Sequence, residues 1–215
     1  MLGLALASGC GGPSVGGPAT TGPITAPAES WSWVAFPDAR CADGSTTGLG
    51  VNLTTRSEDV VVYFEGGGAC WSELTCFTPI GLWTITAGYG AAAFAAEPTI
   101  GSPPFDRTAA GNPFKDASYV FVPYCTGDLH AGTAVNAFGS HVVHQVGGLN
   151  VGAYLARLAG TFPGARRIYV TGSSAGGYAA QLSYPRFAAA FPQPELHLLA
   201  DSAQAVQPLG GNTTT

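Results

Sequence analysis

Positive charge is scarce in this 215-residue chain: lysine and arginine together number 8 against 13 acidic residues, and Lys115 is the only lysine. A formal net charge of −5 gives no surface able to neutralise a run of phosphates, which excludes the electrostatic mode of nucleic-acid binding. Long apolar runs are also missing, and none reaches the roughly 18 to 20 residues of a membrane span. Charged residues make up only 10% of the chain and hydrophobic residues 46%, the reverse of a chain too polar to fold. A length of 215 residues suits one domain, or one domain and a tail. Glycine (31) and proline (16) are plentiful but uneven, concentrated in the first thirty residues and a few loops.

Residues 1–10 end in Leu6-Ala7-Ser8-Gly9-Cys10, small residues ahead of a cysteine, with Gly11, Gly12 and Pro13 behind it. The pattern is similar to a bacterial lipobox, so 1–10 reads as a lipoprotein-type signal remnant with Cys10 as the lipid acceptor. It lacks a basic n-region and its apolar stretch is short, which implies a longer natural leader. Residues 11–28 have neither charge nor a periodic apolar pattern, and read as a flexible tether. Residues 29–215 then hold the folded domain. The expected destination is outside the cytoplasm, lipid-anchored at the envelope or secreted, touching membrane only through Cys10.

With Cys10 set aside, four cysteines remain, and four allow three pairings. Export favours disulfides. Cys70 and Cys76 bracket a short loop and pair most easily, which leaves Cys41 with Cys125. Zinc is the competing reading, but no CxxC pair occurs and the spacings suit it poorly. Neither a metal nor a cofactor is expected.

Along the chain, Trp31–Phe36 suggests an opening strand, Cys41–Ser45 a turn, and Gly50–Leu53 more extended chain. Asp59–Phe64, Ser118–Val122 and Arg167–Thr171 are short β-branched and aromatic runs of the kind buried on both faces of a parallel sheet. Glu195–Asp201 reads as a fourth such strand. Between them, Val151, Tyr154, Leu155 and Leu158 recur at helical spacing, with Asn150 as N-cap and Gly160 as stop. A second helix is predicted from Ala175 to about Leu182, broken or kinked by Pro185, with a short helical piece over Phe187–Phe191. Residues 77–117 read as loops with short helices. Strand and helix in alternation define an α/β fold with a mostly parallel sheet and flanking helices.

The strongest chemical signal is Gly172-Ser173-Ser174-Ala175-Gly176, a G-x-S-x-G turn between a buried strand and a helix. This is the setting of a nucleophile elbow, with Ser174 at the apex and the Ala175 N–H as one oxyanion donor. Ser173 is the local rival and sits before the apex. Glu65-Gly66-Gly67-Gly68 follows a strand and is similar to the oxyanion loop of esterases, where glycine lets backbone approach the substrate. A phosphate-binding loop is rejected, since no G-K-[ST] follows. The base is harder to find. His197 falls inside a strand, where a packed or edge role fits it. His141 and His144 are three apart but have no third ligand, and read as solvated. His130, with Asp128 in the loop Thr126–Gly132, is the histidine best placed near a site.

Tyr63–Trp71, Val122–Asp128, Gly172–Gly177 and Ala200–Ser202, with Cys41–Ser45 before them, occur in the order of the pectinacetylesterase/Notum family, and the chain resembles that family from about residue 41 to 203. The resemblance implies an α/β-hydrolase-like serine carboxylesterase acting on O-acyl, chiefly acetyl, esters. It implies Ser174 as nucleophile, Gly67, Gly68 and Ala175 as oxyanion donors, and a disulfide at Cys70 and Cys76. Glu65, Asp128, His130 and Trp71 are candidates to line the site. In the family the triad aspartate and histidine lie far downstream of the serine. Here only His197 and Asp201 follow Ser174, so the C-terminal part of the fold is expected to be incomplete and Asp201 to be supporting. Trp71, Trp83 and Phe94 could line an acyl or sugar site, but core packing is the preferred account of such aromatics. The expected partner is an acylated carbohydrate or small ester, met by a monomer. A cutinase- or lipase-like enzyme would keep Ser174 but prefer longer acyl chains. The alternative from another class is a non-catalytic surface lipoprotein that binds carbohydrate.

Overall fold

The computed structural model describes residues 22–78 and 88–204. In chain order its strands are β1 (Ser32–Arg40), β2 (Thr46–Asn52), β3 (Asp59–Phe64), β4 (Ser118–Val122), β5 (Ala134–Phe138), β6 (His141–Gln145), β7 (Arg167–Ser173) and β8 (Glu195–Asp201). The α-helices are α1 (Glu73–Phe77), α2 (Ala91–Ala95), α3 (Gly147–Thr161) and α4 (Ala175–Ala190). Cys10, Trp83 and residues 11–21 of the expected tether lie outside the described residues.

Six strands form one sheet in the order β1-β2-β4-β3-β7-β8. The β4-β3, β3-β7 and β7-β8 pairs are parallel, while β1-β2 and β2-β4 are antiparallel. The central strands are apolar at nearly every position because both sheet faces are covered. Val60, Val62, Phe64, Val120, Val122, Ile168 and Val170 point to the side of α3 and α4. Their alternates Val61, Tyr119, Phe121, Tyr63 and Tyr169 meet an aromatic layer that includes Trp31, Phe94 and Phe105. This is the mostly parallel α/β fold that the alternating runs predict.

Several boundaries differ from expectation. Packing begins before residue 29: Ile24 is buried in the main core, and its N–H donates to Thr161 Oγ1 at 2.9 Å, so 22–28 lie against the body rather than continuing a tether. Helix α3 starts at Gly147, ahead of Asn150. Asp128, far back in sequence, caps it by accepting from the Gly147 N–H at 2.7 Å. Asn150 is instead buried in the first turn, where it exchanges two hydrogen bonds with the Arg40 backbone. Helix α4 runs through Pro185 without a break. Phe187 and Ala180 stay buried on either side of the proline, and Tyr184 Oη donates to Leu196 O at 3.0 Å. That packing outweighs the ~3 kcal/mol helix penalty of proline. Residues 134–145, which carry two of the histidines, form the separate β5-β6 hairpin around Gly139 and Ser140. The loop between Cys70 and Cys76 holds α1.

The disulfides join Cys41 to Cys125 and Cys70 to Cys76. The first ties the turn after β1 to the segment that leaves β4. The second closes the short helical loop beyond the three glycines.

Candidate active site

Strand β7 passes directly into α4 at Ser174, whose backbone sits at φ 57°, ψ −121°. A non-glycine residue at positive φ is uncommon, and such strain is held only where surroundings fix it. Here the Ser174 N–H donates to Asp201 O at 3.0 Å. Gly172 and Gly176 let the turn close, because a methyl group on either would overlap the Phe64 carbonyl oxygen at the end of β3. The result is an exposed Ser174 side chain above the C-terminal edge of the sheet. Ser173 is differently engaged, donating through Oγ to Asp201 Oδ2 at 2.9 Å.

The segment after β3 lies against this turn. A Cβ added at Gly66 would fall 2.5 Å from Ser173 O and 3.3 Å from Ser174 Cβ, so glycine is required for the approach. The segment's carbonyls are held from behind. Glu65 O meets His130 Nε2 at 3.0 Å, Gly68 O accepts from Tyr124 Oη at 2.8 Å, and Cys70 O accepts from Gln145 Nε2 at 2.7 Å. The Cys70 N–H donates to Gly127 O at 2.9 Å. In contrast, the N–H groups of Gly66, Gly67, Gly68 and Ala69 find no partner among the described residues. A row of amides without a partner among the described residues, beside an exposed hydroxyl, is an arrangement suited to an oxygen bearing negative charge.

The groups behind the loop are held neutral by burial. Glu65 is pushed up to about 8 by burial first, with the nearby Glu97 carboxyl adding to the rise and the Tyr124 N–H, which donates at 2.7 Å, opposing it. Burial pushes the His130 imidazole down from its usual value, against the raising effect of Glu65 O and Asp128. His130 stacks on Tyr124 and meets Phe64 edge-on, with centroids 4.6 and 5.2 Å away. A neutral ring can donate through only one nitrogen, and Glu65 O is an acceptor, so Nε2 carries the proton. Burial likewise raises the Tyr124 hydroxyl. Asp128 engages both oxygens structurally, with Thr126 Oγ1 on one and the Gly132 and Gly147 N–H groups on the other.

The structure thus brings Ser174, Ala175 and the glycine loop together, with Glu65 and His130 directly behind that loop. Asp128 stands farther back as the cap of α3. No histidine hydrogen-bonds to Ser174: His141 stacks on Phe77, His144 packs beside Gly44, and His197 stacks on Tyr169. Among the described residues no cluster of three metal-ligating side chains occurs. Phe94 is core, whereas Trp71 is 70% exposed, so core packing is the wrong account of Trp71. Sequence reasoning missed Tyr124, Glu97 and Gln145. Tyr124 sits inside a quoted motif, but nothing in the pattern says that its hydroxyl reaches Gly68.

Fold and turn define an α/β-hydrolase-like domain. The family model for pectinacetylesterase matches residues 33–206, and the chain belongs to that family of ester hydrolases. Compared with individual curated proteins, the chain finds no match.

Proposed function

We propose that the protein is a serine carboxylesterase that acts on O-acetyl or similarly short O-acyl esters. Ser174 Oγ attacks the ester carbonyl carbon. The carbonyl oxygen takes up the electron pair and is received by the N–H groups of Gly67, Gly68 and Ala175. Each such donor is worth about 3 kcal/mol in the transition state. The alcohol then leaves with a proton, and water hydrolyses the acyl-serine. One observation carries the reading, the exposed serine at a strained apex against a loop whose amides have no partner among the described residues.

No imidazole contacts Ser174 in this chain, so its hydroxyl lacks the adjacent base that activates a serine. Turnover of p-nitrophenyl acetate by the chain alone should therefore be slow. That same observation favours a second reading, a non-catalytic module that binds acylated carbohydrate. A fluorophosphonate probe separates them. Prolonged incubation should label Ser174, and Ser174→Ala should abolish the adduct seen by mass spectrometry. Labelling unaffected by that substitution, or none at all, would refute the esterase. The two disulfides support an oxidising destination, and lipid on Cys10 is the anchor we propose.

A further inference from the structure

We infer that Tyr124 and His130 are positioning residues, a paired brace that holds the glycine loop so that the Gly67 and Gly68 amides are set in advance for the oxyanion. The inference rests on the esterase reading for what those amides receive, and extends it to what orders them.

Three consecutive glycines have more backbone freedom than any other tripeptide, so residues 66–68 keep no direction unaided. Oxyanion donors act by being in place before the charge develops. Here the order is imposed at the two ends of the run. Glu65 O meets His130 Nε2 at 3.0 Å, and Gly68 O accepts from Tyr124 Oη at 2.8 Å. Both peptides are trans, and in a trans peptide the C=O and the N–H point opposite ways. With the two carbonyls turned back into the fold, the Gly66 and Ala69 N–H groups face away from the brace. The two peptides between them, which carry the Gly67 and Gly68 N–H groups, span an interval fixed at both ends.

The brace is itself firmly set. Tyr124 is fully buried. Its hydroxyl already accepts from the Leu129 N–H at 2.9 Å, so its one proton goes to Gly68 O. The His130 ring stacks on that of Tyr124, and a single packed pair therefore holds both ends of the loop. Leu129 and His130 stand at φ 57° and 56°, a left-handed region that non-glycine residues seldom occupy even singly. This turn brings the Leu129 N–H to the Tyr124 hydroxyl and the imidazole to Glu65 O. Asp128 closes it, accepting from the Ala131 N–H through its carbonyl and from the Gly132 N–H through Oδ2, each at 3.1 Å. On the other side Cys125 is anchored to Cys41. Strain of this kind persists where the surroundings over-determine it and gathers at functional sites. The geometry gives His130 a donor's task, which a side-chain amide can also perform, and not a base's, which an amide cannot.

The test uses the full chain and two readouts. One is the second-order rate constant for fluorophosphonate labelling of Ser174, a reaction in which the phosphoryl oxygen stands where the oxyanion would. The other is the ¹⁵N order parameter of the Gly67 and Gly68 amides. In the parent these amides should be as ordered as sheet backbone, with S² about 0.85, and values below about 0.6 would overturn the brace without any variant. Tyr124→Phe keeps the ring and removes the hydroxyl. In protein shown by circular dichroism to be folded, it should slow labelling at least tenfold and lower S² at both glycines. His130→Leu should do the same, and His130→Gln, which can donate from near the Nε2 position, should recover most of the loss. A merely structural role would lower the unfolding midpoint and leave folded protein labelled at the parent rate. That result, or His130→Gln labelled as slowly as His130→Leu, would overturn the inference. Should the variants fail to fold, the parent S² decides. A parent that is never labelled defeats the serine esterase and leaves the brace to be judged on S², while a labelled parent with rates and S² unmoved in the variants defeats the brace alone.

Discussion

Glu65 stands directly before the three glycines, and a carboxyl lifted to about 8 by burial is mostly protonated at neutral pH. In the unfolded chain it ionises near 4.5. The folded state therefore binds one more proton than the unfolded state between those values, and stability falls as pH rises through that window. His130 acts with the opposite sign. Its folded pKa is depressed, so the unfolded chain binds the extra proton and stability rises with pH up to about 6.5. The two slopes oppose each other in mild acid. From about pH 6.5 to 8 Glu65 acts alone, with a loss of at most about 2 kcal/mol at ~1.4 kcal/mol per pH unit. Urea midpoints measured across this range should fall in the parent and stay level in Glu65→Gln. A parent midpoint that rises would show Glu65 to be ionised in the folded protein. Composition and motif place both residues near a site. Their neutrality comes from Phe64, Tyr124 and Glu97, neighbours that only the fold supplies.

At the scale of elements, the crossing of β3, β7 and α4 builds the elbow. Helix α4 approaches so closely that Gly176 leaves no space for a methyl group before the Phe64 carbonyl oxygen. Backbone cannot yield as a flexible side chain can, and overpacking against it costs typically 1–3 kcal/mol or more. Gly176→Ala should lower the unfolding free energy measured in urea by at least about 1 kcal/mol. Gly160→Ala, with nothing near its added Cβ, provides the control. The strands β3, β4 and β7 are legible in sequence because burial on both faces selects continuous β-branched and aromatic runs. The true start of α3 is not, since its cap comes from Asp128 across the fold. Nor is the passage of α4 through Pro185, which tertiary contacts decide against local propensity. The β5-β6 hairpin did leave a trace. Two short runs flank Gly139-Ser140, a two-residue turn with Gly139 at positive φ, but the histidines at 141 and 144 draw attention to ligation instead.

For the molecule as a whole, the bond from Cys41 to Cys125 spans a sequence separation of 84 residues. On the chain-entropy account, a loop of that length restricts the unfolded state enough to add about 4–5 kcal/mol. Replacing both cysteines by alanine should therefore cost about 4 kcal/mol, or a Tm lower by about 10 °C in calorimetry. An unchanged Tm would place the stability in the sheet alone. The enclosed segment includes β2, β3, the glycine loop and most of the irregular chain before β4. A protease that nicks this stretch once releases nothing. The two pieces stay in one covalent body, each still holding its strands in register with the other, and come apart only when a reductant reaches a bond whose sulfurs are buried beneath the aromatic layer.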